Sequence, residues 1–162
     1  MGVSGCGKST LGRALAQHLG WEFVEGDALH PAANIAKMAA GIALDDADRV
    51  PFLHNVAQCI ATGPAQLVIT CSALKRSYRD LLRAAGPRVL FVLPVLSREQ
   101  LQGRLQQRRA HFMPASLLDS QLAALEMPQA DEPAILVDAA EPTPRQVDAT
   151  LAALAAARFH GG

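Results

Sequence analysis

The sequence predicts an α/β fold, a parallel sheet with helices on both faces and a helical lid, with the first strand missing from the chain. Three observations carry the prediction. Residues 67–71 and 89–93 are apolar runs of strand length, as expected of parallel strands covered on both sides. Between such runs the apolar residues fall at helical spacing, so strands alternate with helices. The chain opens on Gly2-Val3-Ser4-Gly5-Cys6-Gly7-Lys8-Ser9, the pattern G-x-x-x-x-G-K-[ST] of a phosphate-binding turn between a strand and a helix.

Glycines let such a loop curl until its N–H groups share one concavity, and the next helix adds the positive end of its dipole. Lys8 then reaches the β- and γ-phosphates, and the Ser9 hydroxyl is a Mg²⁺ ligand. This is the signature of a P-loop NTPase or kinase fold, so ATP and Mg²⁺ are the expected cofactors. Gly2, Val3, Ser4, Gly5, Cys6, Gly7, Lys8, Ser9 and Thr10 form the phosphate-binding set. Leu11, Ala14, Leu15 and Leu19 continue as one helical face, which Gly20 ends. The strand before the loop is absent, because the chain begins one residue ahead of it. Such a strand normally lies in the middle of the sheet, where about 5 residues would contribute roughly 5–12 kcal/mol. A marginally folded chain is therefore expected.

Residues 21–24 read as a short strand that delivers Asp27 to the rim where open α/β sheets bind ligands. Asp27 is thereby a candidate acid, although a helix cap or turn residue explains a strand-end Asp equally well. Leu29-His30-Pro31 holds His30 extended at a loop, before Asn34, Ile35 and Met38 resume a helical spacing that Gly41 ends. In Asp45-Asp46-Ala47-Asp48-Arg49, two of the aspartates read as caps for a helix over residues 50–61, with Pro51 in its first turn. Arg49 has no such explanation. The strand at 67–71 ends in Ser72-Ala73-Leu74-Lys75, a second turn at the same rim, followed by a helix bearing Arg76, Tyr78, Arg79, Asp80 and Arg83. After strand 89–93, Ser97 and Gln100 form a capping box for a helix to about residue 108. Arg104 and Arg108 share one face of that helix, and Arg109 and His111 extend the basic run; a solvated face and an anion site are equal readings of this spacing. Pro114 opens a helix with Leu117, Leu118, Gln121, Leu122 and Leu125, so residues 104–127 make a lid that carries arginines over a nucleotide. Residues 135–138 are a last strand, and Thr143, Pro144 and Gln146 supply a cap and capping box for the terminal helix.

A chain of 162 residues with 50% hydrophobic content makes a single domain over residues 1–162. Its zero net charge offers no global field to nucleic acid or an anionic membrane, and no apolar run reaches the length of a membrane span. Cys6, Cys59 and Cys71 have no metal or redox spacing, and their odd number argues against a disulfide framework, which favours a reducing, cytoplasmic setting. The sequence leaves a homodimer open.

Taken together these segments resemble the gluconokinase family, P-loop kinases that move the γ-phosphate of ATP onto the 6-hydroxyl of D-gluconate. The resemblance runs from Gly2 to about Asp138. It is carried by the opening loop, by Gly26-Asp27-Ala28-Leu29-His30-Pro31, by Asn34-Ile35 with Lys37-Met38, and by Leu44-Asp45-Asp46 with Asp48-Arg49. Further on it is carried by Cys71-Ser72-Ala73-Leu74-Lys75 with Tyr78-Arg79-Asp80-Leu81-Leu82-Arg83, and by His111-Phe112-Met113-Pro114 with Ser120-Gln121 and Leu125-Glu126. The D-x-L-H-P and C-S-A-L-K-x-x-Y-R-D segments are far more specific than the loop.

The resemblance implies gluconate and ATP as substrates, with the sugar acid held by Asp27, His30, Arg49, Lys75, Arg79 and His111. Asp27 would take or orient the proton of the attacking hydroxyl, and Arg49 with Arg79 or Lys75 would meet the carboxylate. Arg104, Arg108 and His111 would close over the phosphates, which makes Lys8, Asp27 and Arg108 the catalytic set. The chain departs from the family pattern at Cys6, usually serine and here an oxidation-sensitive thiol beside the phosphates, and at Ala43, Phe52 and Ala110, usually proline, tryptophan and glycine. Two alternatives remain. Shikimate kinases resemble this fold but carry Gly-Gly where this chain has Cys71-Ser72-Ala73. The missing strand would favour a nucleotide-binding protein with little turnover.

Overall fold

The apolar runs settle into two parallel ladders. β1 (Glu22–Val24) pairs with β2 (Leu67–Ile69), Glu22 lying opposite Leu67. β3 (Phe91–Val95) pairs with β4 (Ala134–Asp138), Phe91 lying opposite Ala134. The structure, a computed structural model, describes residues 1–107 and 115–159. Among them the strands form two separate two-stranded sheets instead of one continuous sheet. The backbone between the ladders is residues 1 and 2: the Met1 nitrogen donates to Val92 O at 2.6 Å and the Gly2 N–H to Ser72 O at 2.9 Å. Those bonds reach β3 and the segment just past β2.

Side chains alternate across each strand. Phe91 and Ala134 therefore turn to a cluster built on Phe52, Leu53, Val56, Tyr78 and Leu82, while their neighbours Val92 and Ile135 turn to one built on Leu11, Leu15, Val137 and Val147. The first cluster belongs to α3 (Asp46–Thr62) and α4 (Arg76–Ala84), the second to α1 (Lys8–Leu19) and α7 (Thr143–Phe159). Helices thus cover both faces. α2 (Ala32–Ala39), α5 (Arg98–Gln107) and α6 (Ala115–Ala124) complete the described helices.

Local chemistry sets most helix ends. Gly20 closes α1 in left-handed backbone at φ +68°. Asp45 and Asp48 cap α3 reciprocally, at 2.8 Å and 3.1 Å, and start it four residues before the apolar spacing does. Ser97 and Gln100 form the expected box ahead of α5. The box expected at α7 does not form. Gln146 N–H bonds Pro142 O, and its side chain turns back to Glu141 O at 2.7 Å. β3 also starts two residues later than its apolar run, because its ladder begins where Phe91 N–H meets Pro133 O.

Candidate active site

Ahead of α1, Gly5 and Gly7 take left-handed backbone at φ +82° and +104°, a conformation that side chains disfavour, and so curl the loop. Gly7 occupies the cap position of α1 with no side-chain cap bond, which leaves the first amides of the helix to a ligand at its positive end. Lys8 Nζ folds across the loop to Val3 O at 2.9 Å. Ser9 and Thr10 follow in the first turn, half-buried and exposed respectively. α5 and α6 both reach this loop. Arg104 of α5 donates to Cys6 O at 3.4 Å and to Ala139 O, and Gln121 of α6 accepts the Ser4 N–H at 2.6 Å.

A second set of groups gathers beside the loop. Gly26 N–H donates to Thr70 Oγ1 at 2.9 Å, and the Thr70 hydroxyl donates to Glu25. A Cβ on Gly26 would lie 1.7 Å from Thr70 O, so glycine alone fits there. These contacts fasten the following residue, the exposed Asp27, to the end of β2 in a 3-10 turn, Gly26–Leu29. The charges of Lys8 and Asp27 both act on buried Cys71, whose thiol is pushed up to about 11, chiefly by burial. Cys71 lies between Thr70, which holds Gly26, and Ser72, whose carbonyl accepts the Gly2 N–H, so the loop and the turn bearing Asp27 are tied to one segment.

His30 stacks on Phe52 with ring centres 3.7 Å apart. Burial lowers its pKa, Arg49 adds to the shift and Asp27 opposes it, so the imidazole is neutral at pH 7. Asn34 Nδ2 lies 3.3 Å from His30 Nδ1; an amide nitrogen only donates, which leaves the ring proton on Nε2. Arg49, in the first turn of α3, is 9% exposed, and its guanidinium meets Asp46 at 3.8 Å, beyond hydrogen-bond reach. Lys75 Nζ bonds both Asp46 oxygens, at 2.8 Å and 2.7 Å, and the Tyr78 hydroxyl donates to the same carboxylate. The two capping aspartates are therefore Asp45 and Asp48, while Asp46 faces the rim. Asp46 and Tyr78 are site residues that sequence reasoning left without a role, although both stand in the segments that carry the resemblance.

Arg79 does not join this rim. It is fully buried, its Nε and Nη2 pair with the equally buried Glu132, and its Nη1 donates to the Ala73, Leu74 and Glu126 carbonyls. With every donor nitrogen engaged inside the protein, it has none for a sugar acid. Cys6 is also corrected: at 1% exposure the thiol is shielded from oxidants. Arg108 and His111 lie outside the described residues.

A family model described as "AAA domain" matches residues 1–128. A gluconokinase from Gluconobacter oxydans is 54% identical over 140 residues, spanning 85% of this chain and 79% of that protein. The chain belongs to the gluconokinase family. The thermosensitive gluconokinase of Escherichia coli is 46% identical over 135 residues, 82% of this chain and 72% of that one. Among solved structures, a gluconokinase from Sinorhizobium meliloti superposes with a TM-score of 0.91 at 45% identity, covering 100% of this chain and 95% of the other. The shikimate kinase of Aquifex aeolicus superposes at 0.64 with 16% identity over 100% of this chain and 97% of its own, which shows a shared fold alone. As a gluconokinase family member the chain is a P-loop kinase, and none of its described helices is long and apolar enough to cross a membrane.

Proposed function

We propose that this kinase transfers the γ-phosphoryl group of ATP to the 6-hydroxyl of D-gluconate. The observation that carries the reading is that the phosphate loop and the turn bearing Asp27 are fastened to the same short segment, Gly2 N–H to Ser72 O and Gly26 N–H to Thr70 Oγ1, each at 2.9 Å, which supports a carboxylate for an acceptor hydroxyl beside a phosphate loop. Lys8 exchanges Val3 O for the β- and γ-phosphates, and the uncapped amides of α1 receive the remaining charge. Ser9 holds Mg²⁺, a fit to an ion that takes few protein ligands and completes its shell with phosphate and water. Held there, Mg²⁺ would supply positive charge against the phosphates of ATP.

Asp27 orients the 6-hydroxyl and accepts its proton as that oxygen attacks phosphorus and ADP departs. Arg49, which has no close carboxylate partner, meets the gluconate carboxylate, and neutral His30 with Lys75 serves the hydroxyls. Arg104 covers the phosphates from α5, and α5 with α6 makes the lid. Because the reaction consumes ATP, the cytoplasm is its proposed setting. ADP release with gluconate, shikimate, AMP or no acceptor tests the reading. Release that depends on gluconate is expected; equal release in every arm, or release driven by shikimate, would overturn it.

A further inference from the structure

Ser120-Gln121 and Leu125-Glu126 help to carry the family resemblance, yet phosphoryl transfer assigns them no task. Gln121 holds the phosphate loop through the Ser4 N–H at 2.6 Å. Beyond the end of α6, Glu126 N–H donates to Leu74 O at 2.8 Å, and the Glu126 carboxylate accepts the Arg76 N–H at 2.6 Å. These two bonds grip both neighbours of Lys75. They also supply what α4 lacks, since its cap residue Lys75 makes no side-chain cap bond. A carboxylate from another segment closes the turn, at the helix end that favours negative charge.

Arg79 secures Glu126 from behind by donating to its carbonyl at 2.9 Å. Apolar packing follows the same route. Leu74 shares a buried cluster with Val3 and Cys6 of the loop and Leu118 of α6, with Leu122 and Leu125 packed against it.

We propose that residues 121–126 form a strut between the phosphate loop and the acceptor rim, with Glu126 the positioning residue for Lys75 and Gln121 the contact that reports on the loop. The proposal rests on the gluconate reading for the acceptor's identity alone. Through such a strut nucleotide tightens acceptor binding, and linkage requires the acceptor to tighten nucleotide binding by the same factor.

The test is calorimetric binding of D-gluconate with and without a non-hydrolysable ATP analogue and Mg²⁺. In the unaltered protein the analogue tightens gluconate binding about fivefold or more, and in Gln121→Ala the ratio falls below about twofold. Glu126→Ala raises the gluconate KM about fivefold with kcat held within about twofold, and Glu126→Gln, which keeps an acceptor oxygen for the Arg76 N–H, restores it. Amide exchange at residues 74–79 gives a readout without any acceptor: the analogue slows it in the unaltered protein and not in Gln121→Ala. A ratio of one in the unaltered protein, an undiminished ratio in Gln121→Ala, or exchange indifferent to the analogue overturns the strut. A Glu126→Ala protein that melts lower with an unchanged gluconate KM makes Glu126 a helix cap and nothing more. Should gluconate fail as an acceptor, the exchange measurement still decides the strut, which keeps the two failures apart.

Discussion

Arg49 and Arg79 are each the fourth residue of their helices, α3 and α4, and both belong to segments that resemble the same family. Arg49 is buried under the rim, 3.8 Å from the exposed Asp46 carboxylate and close enough to Tyr78 to act on its hydroxyl. Arg79 is sealed inside with a bidentate carboxylate and three carbonyls. A buried guanidinium that has no close carboxylate of its own beneath the rim is suited to an arriving anion. One that has spent all its donors inside the protein holds segments together. The difference teaches that the number of partners, more than the charge, separates a binding arginine from a structural one.

Removing Arg79 should have the largest effect. Arg79→Ala leaves Glu132 buried without its partner, for which about 3–5 kcal/mol of stability is the expected loss in a urea titration. Arg49→Ala should lose less in the same titration, because Asp46 keeps Lys75 and Tyr78 as partners and no buried charge is left unpaired. Equal losses would erase the distinction. The buried pair also has a pH signature. Arg79 holds the Glu132 carboxyl down at about 2, below its value in an unfolded chain. A depressed folded pKa contributes stability that is fully present above the unfolded value, near 4.3, and is lost as pH falls towards 2. Thermal transitions measured from pH 5 downward should therefore drop less steeply in Glu132→Gln than in the unaltered protein.

At the rim the effects should be kinetic. Asp27→Asn should lower kcat about 10²-fold or more, with the KM for ATP nearly unchanged, in the ADP-release assay. Wild-type turnover in that variant would remove Asp27 from the chemistry. Arg49→Ala should raise the gluconate KM about 10-fold or more, the scale of one charge-assisted hydrogen bond of roughly 1.5–3 kcal/mol. A larger increase in Arg79→Lys than in Arg49→Ala, in protein that remains folded, would reverse the comparison. The smallest effect belongs to a solvent-facing pair: Lys37 bonds Asp48 at 2.6 Å, and Lys37→Met should leave the urea midpoint almost unchanged.

Much of this molecule was legible because its signals are local. The phosphate loop, the Gly20 stop, the Ser97 box and the order of helices and strands depend on residues within a few positions of each other, where backbone geometry and short side chains decide the outcome. The candidate rim was partly legible for the same reason: Asp27 and Lys75 follow β1 and β2, and chain ends at that edge of parallel strands meet.

Tertiary structure decided the rest, because the deciding partners are distant in the chain. Arg79 became structural through Glu132, 53 residues away, and Asp46 turned to Lys75, 29 residues away, while Asp45 and Asp48 capped the helix. The start of β3 follows its ladder with β4, and the pairing of β1 with β2 and of β3 with β4 joins strands distant in the chain. Composition and spacing determine which residues are charged, helical or apolar. Whether a charged side chain finds a partner before a ligand arrives depends on what the fold packs beside it, and that information lies between segments and not within any one of them.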